Sequence, residues 1–452
     1  MMKKIVILGA GESGTGAALL AHAKGHHVFV SDKNLIAPSY QQQLLANGIP
    51  FEEAGHTWDQ IKEADEVIKS PGIPDEAPII QAIKKASIPI VDEVEFASRY
   101  TDAFLIGITG SNGKSTTTQL TYHLLKSAGL DVGLAGNIGQ SFAKKIWLEK
   151  HAYYVLELSS FQLEYVHQFK PNIGCILNIT PDHLDRYHQQ MEPYIAAKCR
   201  IFQNMDMHDH FIYNQDDPHI TQYLQNHPPH TMLCPFSLTQ PTNQGAYLNQ
   251  DSLCFIGKNY HFQIPTRALP LLGKHNWYNS MAAISIASLV GISPASIVTG
   301  LKDFKGLPHR MEWVAKIQEV DFYNDSKATN VESAAVALAS FTQPIIWIAG
   351  GYDKGNDYEL LKPIVKEHVK ALICLGKDNQ PIRQAFEAFG LPIYETQVIQ
   401  EAINLAITLA KPQEIVLLSP ACASFDLFKN FEDRGEQFKN AVHQLSNSKL
   451  LS

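Results

Sequence analysis

Short apolar runs alternate with amphipathic stretches along almost the whole chain, and the rhythm restarts three times. Such alternation marks strand–helix–strand units and limits the chain to α/β folds with mostly parallel sheets. The first block opens at Lys4–Leu8, turns at Gly9-Ala10-Gly11, and continues with strands at Val28–Ser31, Glu66–Ser70 and Pro89–Val91. The second opens at Ala103–Thr109 and has further strands near Tyr153–Leu158, Ile173–Leu177 and Phe211–Asn214. A β-leaning stretch from about Thr231 to Ile264 follows, then a helix at His275–Leu289. The third block begins after Gly306-Leu307-Pro308, whose glycine and proline suit a linker. Its strands fall at Val320–Asn324, Ile345–Ala349, Ala371–Leu375 and Glu414–Leu418. A chain of 452 residues is too long for one hydrophobic core. Boundaries near residues 101 and 306 divide it into domains 1–101, 102–306 and 307–452, each with a mostly parallel sheet.

A net charge of −8 argues against a nucleic-acid footprint, which needs a basic face. The six cysteines show neither paired metal spacing nor a dense disulfide pattern, so reduced thiols in a cytoplasmic protein are expected. The apolar stretch at Ile5–Leu8 is too short for a signal peptide, and no run approaches the length of a membrane span.

Residues 107–116, Gly-Ile-Thr-Gly-Ser-Asn-Gly-Lys-Ser-Thr, follow an apolar strand and precede a helical stretch, Ser115–Ser127. That is the setting of a phosphate loop: glycines turn backbone N–H groups inward, and a helix N-terminus adds positive potential. Lys114 can reach the β- and γ-phosphates of a nucleoside triphosphate, and the hydroxyl of Ser115 or Thr116 can hold Mg²⁺. The strict pattern wants glycine six residues before the lysine; Ile108 stands there and Gly107 one place earlier, so this is a variant loop.

A second glycine-rich turn, Gly9-Ala10-Gly11-Glu12-Ser13-Gly14, fits the dinucleotide fingerprint, with Asp32 after the next strand. An NAD-dependent dehydrogenase is one reading. Against it, Glu12 puts a negative charge where a pyrophosphate would approach, and a nucleotide loop already exists elsewhere. A diphosphate ligand other than NAD fits as well, and so does a plain tight turn.

Polar residues recur just beyond strands, at the sheet edge where α/β folds bind ligands. Glu157 closes one strand and His183 follows another, within Asn178-Ile179-Thr180-Pro181-Asp182-His183-Leu184-Asp185; both suit Mg²⁺ or phosphate oxygens. Lys198, on the helix-like Glu192–Phe202, reads by itself as a surface lysine. His309-Arg310 offers a positive charge to a transferring phosphoryl group, or forms an exposed hinge. Asp325-Ser326-Lys327-Ala328-Thr329-Asn330, Gly350–Gly355 with Lys354, and Ser419–Asp426 each end a strand and suit an anionic substrate or a helix cap.

These motifs together resemble the Mur ligases, ATP-dependent amide-forming enzymes of peptidoglycan assembly. The resemblance spans all three blocks and rests on Thr109–Thr116, His275-Asn276-Trp277-Tyr278-Asn279, His309-Arg310-Met311-Glu312 and Asp325–Asn330. The variant spacing of the phosphate loop is the family's own form. Leu156–Leu163, Leu418–Asp426 and Asn430-Phe431-Glu432-Asp433-Arg434-Gly435 resemble the members that add D-glutamate to UDP-N-acetylmuramoyl-L-alanine. The rival within this superfamily, a folylpolyglutamate synthase, lacks an N-terminal UDP-binding domain.

The resemblance implies a Rossmann-like UDP-binding domain, a central P-loop ATPase-like domain and a Rossmann-like C-terminal domain. It implies ATP and Mg²⁺ as cofactors, an acyl-phosphate intermediate, a cytoplasmic monomer, and a part in cell-wall synthesis and hence cell division. By the same resemblance Lys114, Glu157, His183 and Lys198 are catalytic. Gly110, Ser111, Asn112, Gly113, Lys114, Ser115, Thr116, Asn276, Asn279, Arg310, Asp325 and Lys327 match ATP contacts. Thr116, Glu157, His183 and Lys198, the last as a carbamate, match groups around the metal. Glu12, Ser13, Asp32, Lys33, Ser70, Gly72, Asn137 and His183 match the UDP-substrate site. Thr329, Lys354, Ser424, Phe425 and Phe431 match the D-glutamate pocket, with Phe425 standing where leucine is expected.

Overall fold

The computed structural model describes residues 2–450, apart from His183, Asp185, Asn259, Leu272 and the side chains of 447–450. Two compact units form: Met1–Leu269 with Tyr278–Phe304, and Pro270–Trp277 with Lys305–Ser452.

The first unit holds two sheets. One has five parallel strands in the order Phe51–Glu52, His27–Ser31, Lys4–Leu8, Glu66–Lys69, Ile90–Val91. The other has nine strands, and its centre is parallel: Met232–Ser237, His210–Asn214, Ile173–Ile176, Phe104–Thr109, Tyr153–Glu157 and Val132–Gly136. Gly245–Asn249 extends it in parallel, and the antiparallel strands Ser252–Gly257 and Tyr260–Pro265 close that edge. The β-leaning stretch of the sequence is therefore a sheet extension rather than a separate layer.

Register places the chemistry. Ile108 pairs with both Glu157 and Cys175, and Glu157 also pairs with Gly136. The carboxyl ends of four adjacent strands thus finish level, and the residues just after them share one edge. One apolar core runs across both sheets: Ile5, Ile7 and Leu19 of the first belong with Phe142, Tyr154 and Leu156 of the second. Two glutamates reinforce this packing. Glu93 accepts the Phe142 and Ala143 N–H groups at 3.2 and 2.8 Å, so it caps the helix Phe142–Leu148 from the neighbouring sheet. Glu95 accepts three successive N–H groups, from His167, Gln168 and Phe169.

The second unit has six strands in the order Glu312–Ile317, Val320–Asn324, Ile415–Leu418, Ile345–Ala349, Val369–Leu375, Ile393–Thr396. The first pair is antiparallel and the rest are parallel. Both faces of the sheet are covered: Ile345, Trp347 and Ala349 enter one core, Ile346 and Ile348 the other. That two-residue period explains why its central strands read as unbroken apolar runs.

Candidate active site

The turn after Phe104–Thr109 delivers Gly110–Gly113 to the helix Lys114–Ser127. Gly113 takes φ +83°, where glycine is favoured, and a Cβ there would sit 2.2 Å from Asn279 Oδ1, so any other residue must push that side chain aside. The loop is pinned from the next strand's end. Ser111 N donates to Asn178 O at 2.9 Å, Asn112 N to Asn178 Oδ1 at 2.8 Å, and Ser111 Oγ to Thr180 O at 2.9 Å. Neither Asn178 nor Thr180 has a predicted role, yet both fix the loop's shape.

Two lysines converge on one carbonyl. Lys114 Nζ donates to Gly110 O at 2.8 Å and to Ser111 O at 2.9 Å, and Lys198 Nζ donates to Gly110 O at 2.9 Å. Lys198 is no surface lysine: it is 2% exposed, on the helix Met191–Cys199, with its ammonium 4.6 Å from the centre of the Tyr194 ring. Burial, and the charge of Lys114 after it, hold the Lys198 ammonium well below the usual lysine range, while Asp182 pulls the other way. Tyr194 lies one helical turn before Lys198, and its hydroxyl meets Ser111 Oγ at 2.9 Å. That spacing was a readable signal. So was Asp182, inside a segment singled out for its neighbour.

Glu157 ends its strand 2% exposed, with Oε1 accepting from Asn137 Nδ2 at 2.9 Å. Its Oε2 is buried and has no hydrogen-bond partner among the described residues. A buried carboxylate oxygen without a donor fits a cation, and carboxylate and hydroxyl oxygens such as those of Glu157 and the half-buried Thr116 are the hard donors that Mg²⁺ prefers. Ser159 and Gln162, from the same motif, form a reciprocal capping box on the short helix Ser160–Leu163, so their role is structural. His183 lies outside the described residues.

In the first sheet, a cavity of about 1050 Å³ opens at the strand ends, lined by Gly9, Gly11, Glu12, Ser13, Asp32, Lys33, Ser70 and Gly72. Asp32 Oδ2 accepts the Ala10 N–H at 2.7 Å, which shapes the glycine turn. His56 and Trp58 line the same cavity, unforeseen from sequence because they follow a strand of only two residues. Asn137 sits instead against Glu157, at the edge of the second sheet.

In the second unit, Asp325 is buried, accepting Ser419 Oγ at 2.9 Å and Met311 N at 3.2 Å. Burial raises its carboxyl to about 7, against the pull of these hydrogen bonds and of Arg310. Lys327 Nζ lies 3.7 Å from the centre of the Phe431 ring. His309 is no exposed hinge: it is 6% exposed, beside Asn324 Nδ2 at 2.9 Å, and burial lowers its pKa. A neutral imidazole leaves the positive charge of that pair to Arg310. Asn276 is buried, Ser424 is 2% exposed, while Phe425 is 69% exposed and Thr329 and Lys354 lie open. Arg434, 1% exposed, donates to Ser326 Oγ and O and to Cys422 O, which ties two strand-end turns together.

A glycine-rich loop with two convergent lysines, a buried carboxylate at a neighbouring strand's end and two further α/β sheets mark a phosphate-binding α/β protein. Family models agree along the chain: Mur ligase MurD-like N-terminal domain over residues 3–92, Mur ligase middle domain over 108–287, and Mur ligase glutamate ligase domain over 309–422. The chain belongs to the Mur ligase family and is an ATP-dependent amide-forming ligase. It is 51% identical over 445 residues to UDP-N-acetylmuramoylalanine–D-glutamate ligase of Bacteroides fragilis, covering 98% of this chain and 100% of that one. Against the enzyme of the same name from Porphyromonas gingivalis it is 50% identical over 443 residues, covering 98% of each. Its fold is shared with UDP-N-acetylmuramate–alanine ligase from Thermotoga maritima: TM-score 0.61, 19% identity, 98% of this chain and 99% of that one. It is shared also with the Acinetobacter baumannii ligase that joins D-alanyl-D-alanine to a diaminopimelate-bearing precursor: TM-score 0.61, 17% identity, 97% and 93% covered. The family match sets aside the dehydrogenase and folylpolyglutamate readings. Among the described residues no helix is long and apolar enough to cross a membrane.

Proposed function

We propose that this chain adds D-glutamate to UDP-N-acetylmuramoyl-L-alanine in the cytoplasm, at the expense of ATP, as a step of peptidoglycan precursor synthesis. The observation that carries the reading is the meeting of Lys114 and Lys198 on Gly110 O, within the glycine-rich turn that opens the helix Lys114–Ser127. The relatives named above, about half identical over nearly their full length, give the substrates.

The chemistry runs in two displacements. A carboxylate oxygen of the L-alanyl group attacks the γ-phosphorus of ATP, and ADP leaves with the bridging oxygen. The D-glutamate amine then attacks the acyl carbon, loses a proton, and expels phosphate as the amide forms. Lys114 holds the γ-phosphate once the carbonyls of Gly110 and Ser111 give it up, and it spreads the charge of the transferring group. Asn178 and Thr180 keep the loop in its phosphate-binding shape. Thr116, Glu157 and Lys198 would hold Mg²⁺, which when bound neutralises phosphate charge and orients the attacking oxygen. Burial that lowers the Lys198 pKa favours the neutral amine, the form nucleophilic toward carbon dioxide: its nitrogen forms the C–N bond of a carbamate and releases a proton. Lys198 then becomes a carboxylate of the kind a metal site wants. Ser424, Lys354, Thr329, Phe425 and Phe431 form the D-glutamate pocket of the second unit, and Arg310, Asp325 and Lys327 serve the nucleotide.

Omission assays test this. Phosphate release that requires ATP, Mg²⁺, UDP-N-acetylmuramoyl-L-alanine and D-glutamate together supports it; release unaffected by leaving out the UDP-linked acid refutes it.

A further inference from the structure

Glu12 stands in the glycine-rich turn of the first sheet, at the first residue of the helix Glu12–Ala23. It is the wrong charge for a diphosphate. The helix has no side-chain cap among the described residues, and its start, Gly11, Glu12 and Ser13, lines the cavity, so a carboxylate stands at the helix end that favours anions.

The second sheet supplies the compensation. Lys144 Nζ lies 3.1 Å from Glu12 Oε2, and the Ser141 N–H donates to Glu12 Oε1 at 3.3 Å. Lys144 belongs to the helix Phe142–Leu148, packed so closely on Glu12–Ala23 that a Cβ on Gly16 would come within 2.9 Å of Lys144 Cβ. The pair is partly shielded, with the Lys144 side chain 15% exposed and that of Glu12 31% exposed. The surroundings are acidic. Glu93 caps the same helix beside Glu12, and Asp32 sits under the glycine turn; Lys33 is the cation that lines the cavity itself.

We propose that Lys144 is a positioning residue for the nucleotide-linked substrate: by neutralising Glu12 it makes the first glycine turn acceptable to a diphosphate. The inference rests on reading this cavity as the seat of the UDP-linked acid. Lys144 acts through Glu12 rather than by touching the ligand. Removing it leaves a half-shielded carboxylate next to incoming phosphate, a like-charge contact that is costly in such a setting. Removing both charges together takes the repulsion away.

The test compares Lys144→Ala, Glu12→Gln and the double variant in the full-length enzyme, by steady-state phosphate release and by calorimetric titration with UDP alone. Lys144→Ala raises KM for UDP-N-acetylmuramoyl-L-alanine and Kd for UDP roughly ten-fold, leaves KM for ATP unchanged, and shows its largest defect at low salt. The double variant recovers most of that loss. Unchanged UDP affinity in Lys144→Ala overturns the proposal, as does a double variant no better than the single one. So does a parallel loss for UDP and ATP together with kcat, which is the mark of a packing role. UDP binding without substrate-dependent phosphate release sinks the functional reading, while the calorimetry still decides the role of Lys144; a wild type that does not bind UDP sinks both.

Discussion

The turns at Gly9–Gly14 and Gly110–Lys114 are built alike. Each follows a parallel strand, uses a left-handed glycine (Gly9 at φ +87°, Gly113 at φ +83°) and hands over to a helix with no side-chain cap among the described residues. Their surroundings differ. The second turn carries its own lysine, folded onto Gly110 O and Ser111 O, and is crossed by bonds from Asn178 and Thr180. The first carries a glutamate, borrows a lysine from another helix, and borders an open cavity of about 1050 Å³. On the proposed function, one backbone device is put to two uses, phosphoryl transfer at one turn and the holding of a nucleotide at the other. What decides between them is the charge set around the N–H groups.

The largest effect should come from the lysines of the second turn. Lys114→Ala and Lys198→Ala should each lower kcat by about a thousand-fold or more, the first by removing charge stabilisation at the transferring phosphoryl group and the second by removing the carbamate that would hold Mg²⁺. Added bicarbonate or short carboxylic acids should partly rescue Lys198→Ala and leave Lys114→Ala inactive. A Lys198→Ala enzyme of full activity would erase the distinction between the turns. Glu157→Gln should follow, with a loss of roughly ten- to a hundred-fold that excess Mg²⁺ partly reverses, as expected when a cation-binding carboxylate is neutralised. A Mg²⁺ titration of initial rates reads this directly.

Glycine substitutions separate the turns by stability. A Cβ on Gly14 would lie 1.8 Å from Gly9 O, a backbone atom that cannot yield, so Gly14→Ala should prevent the first sheet from folding. At Gly113 the obstacle is the Asn279 side chain, which can move, so Gly113→Ala should fold and lose ATP affinity. Circular dichroism and nucleotide titration distinguish these outcomes.

A smaller effect concerns pH. Burial raises the Glu93 carboxyl to about 7, above the 4.5 of the unfolded chain, with the charge of Glu12 adding to the shift. The folded state keeps the proton between these values. Its contribution to stability is therefore present below about pH 4.5 and lost as pH rises through 7. Glu93→Gln should flatten the fall in Tm across that window. Asp92 and Asp325 slope the same way, so the difference between wild type and variant is the quantity to read. The smallest expected change is Asp32→Asn, a few-fold rise in KM for the UDP-linked substrate with no change for ATP, from weakening one hydrogen bond to the turn.

The parallel architecture was legible because its buried strands read as apolar runs: Val320–Asn324 and Ile345–Ala349 stand where the sequence places them. The strand Val132–Gly136 was not legible, since two glycines in five residues read as a loop; Gly136 is needed because Glu157 O would meet a Cβ at 2.3 Å. The strand Glu312–Ile317, with Glu312 and Lys316 inside it, lies on a sheet edge and lacks the unbroken apolar signal of a buried strand. Lys114 and Glu157 could be read from position alone. Lys198 could not: its burial depends on where a helix packs, and only its family likeness marked it. Lys144 and Arg434 act through contacts distant in sequence, which no local pattern encodes.

The most direct measurement of the central claim is an amino-acid panel in the ATP-dependent assay, with products identified by mass. The account predicts one new amide, between UDP-N-acetylmuramoyl-L-alanine and D-glutamate, with L-glutamate and L-alanine left unjoined. Equal incorporation of L-glutamate, or phosphate release with no amide formed, would contradict it.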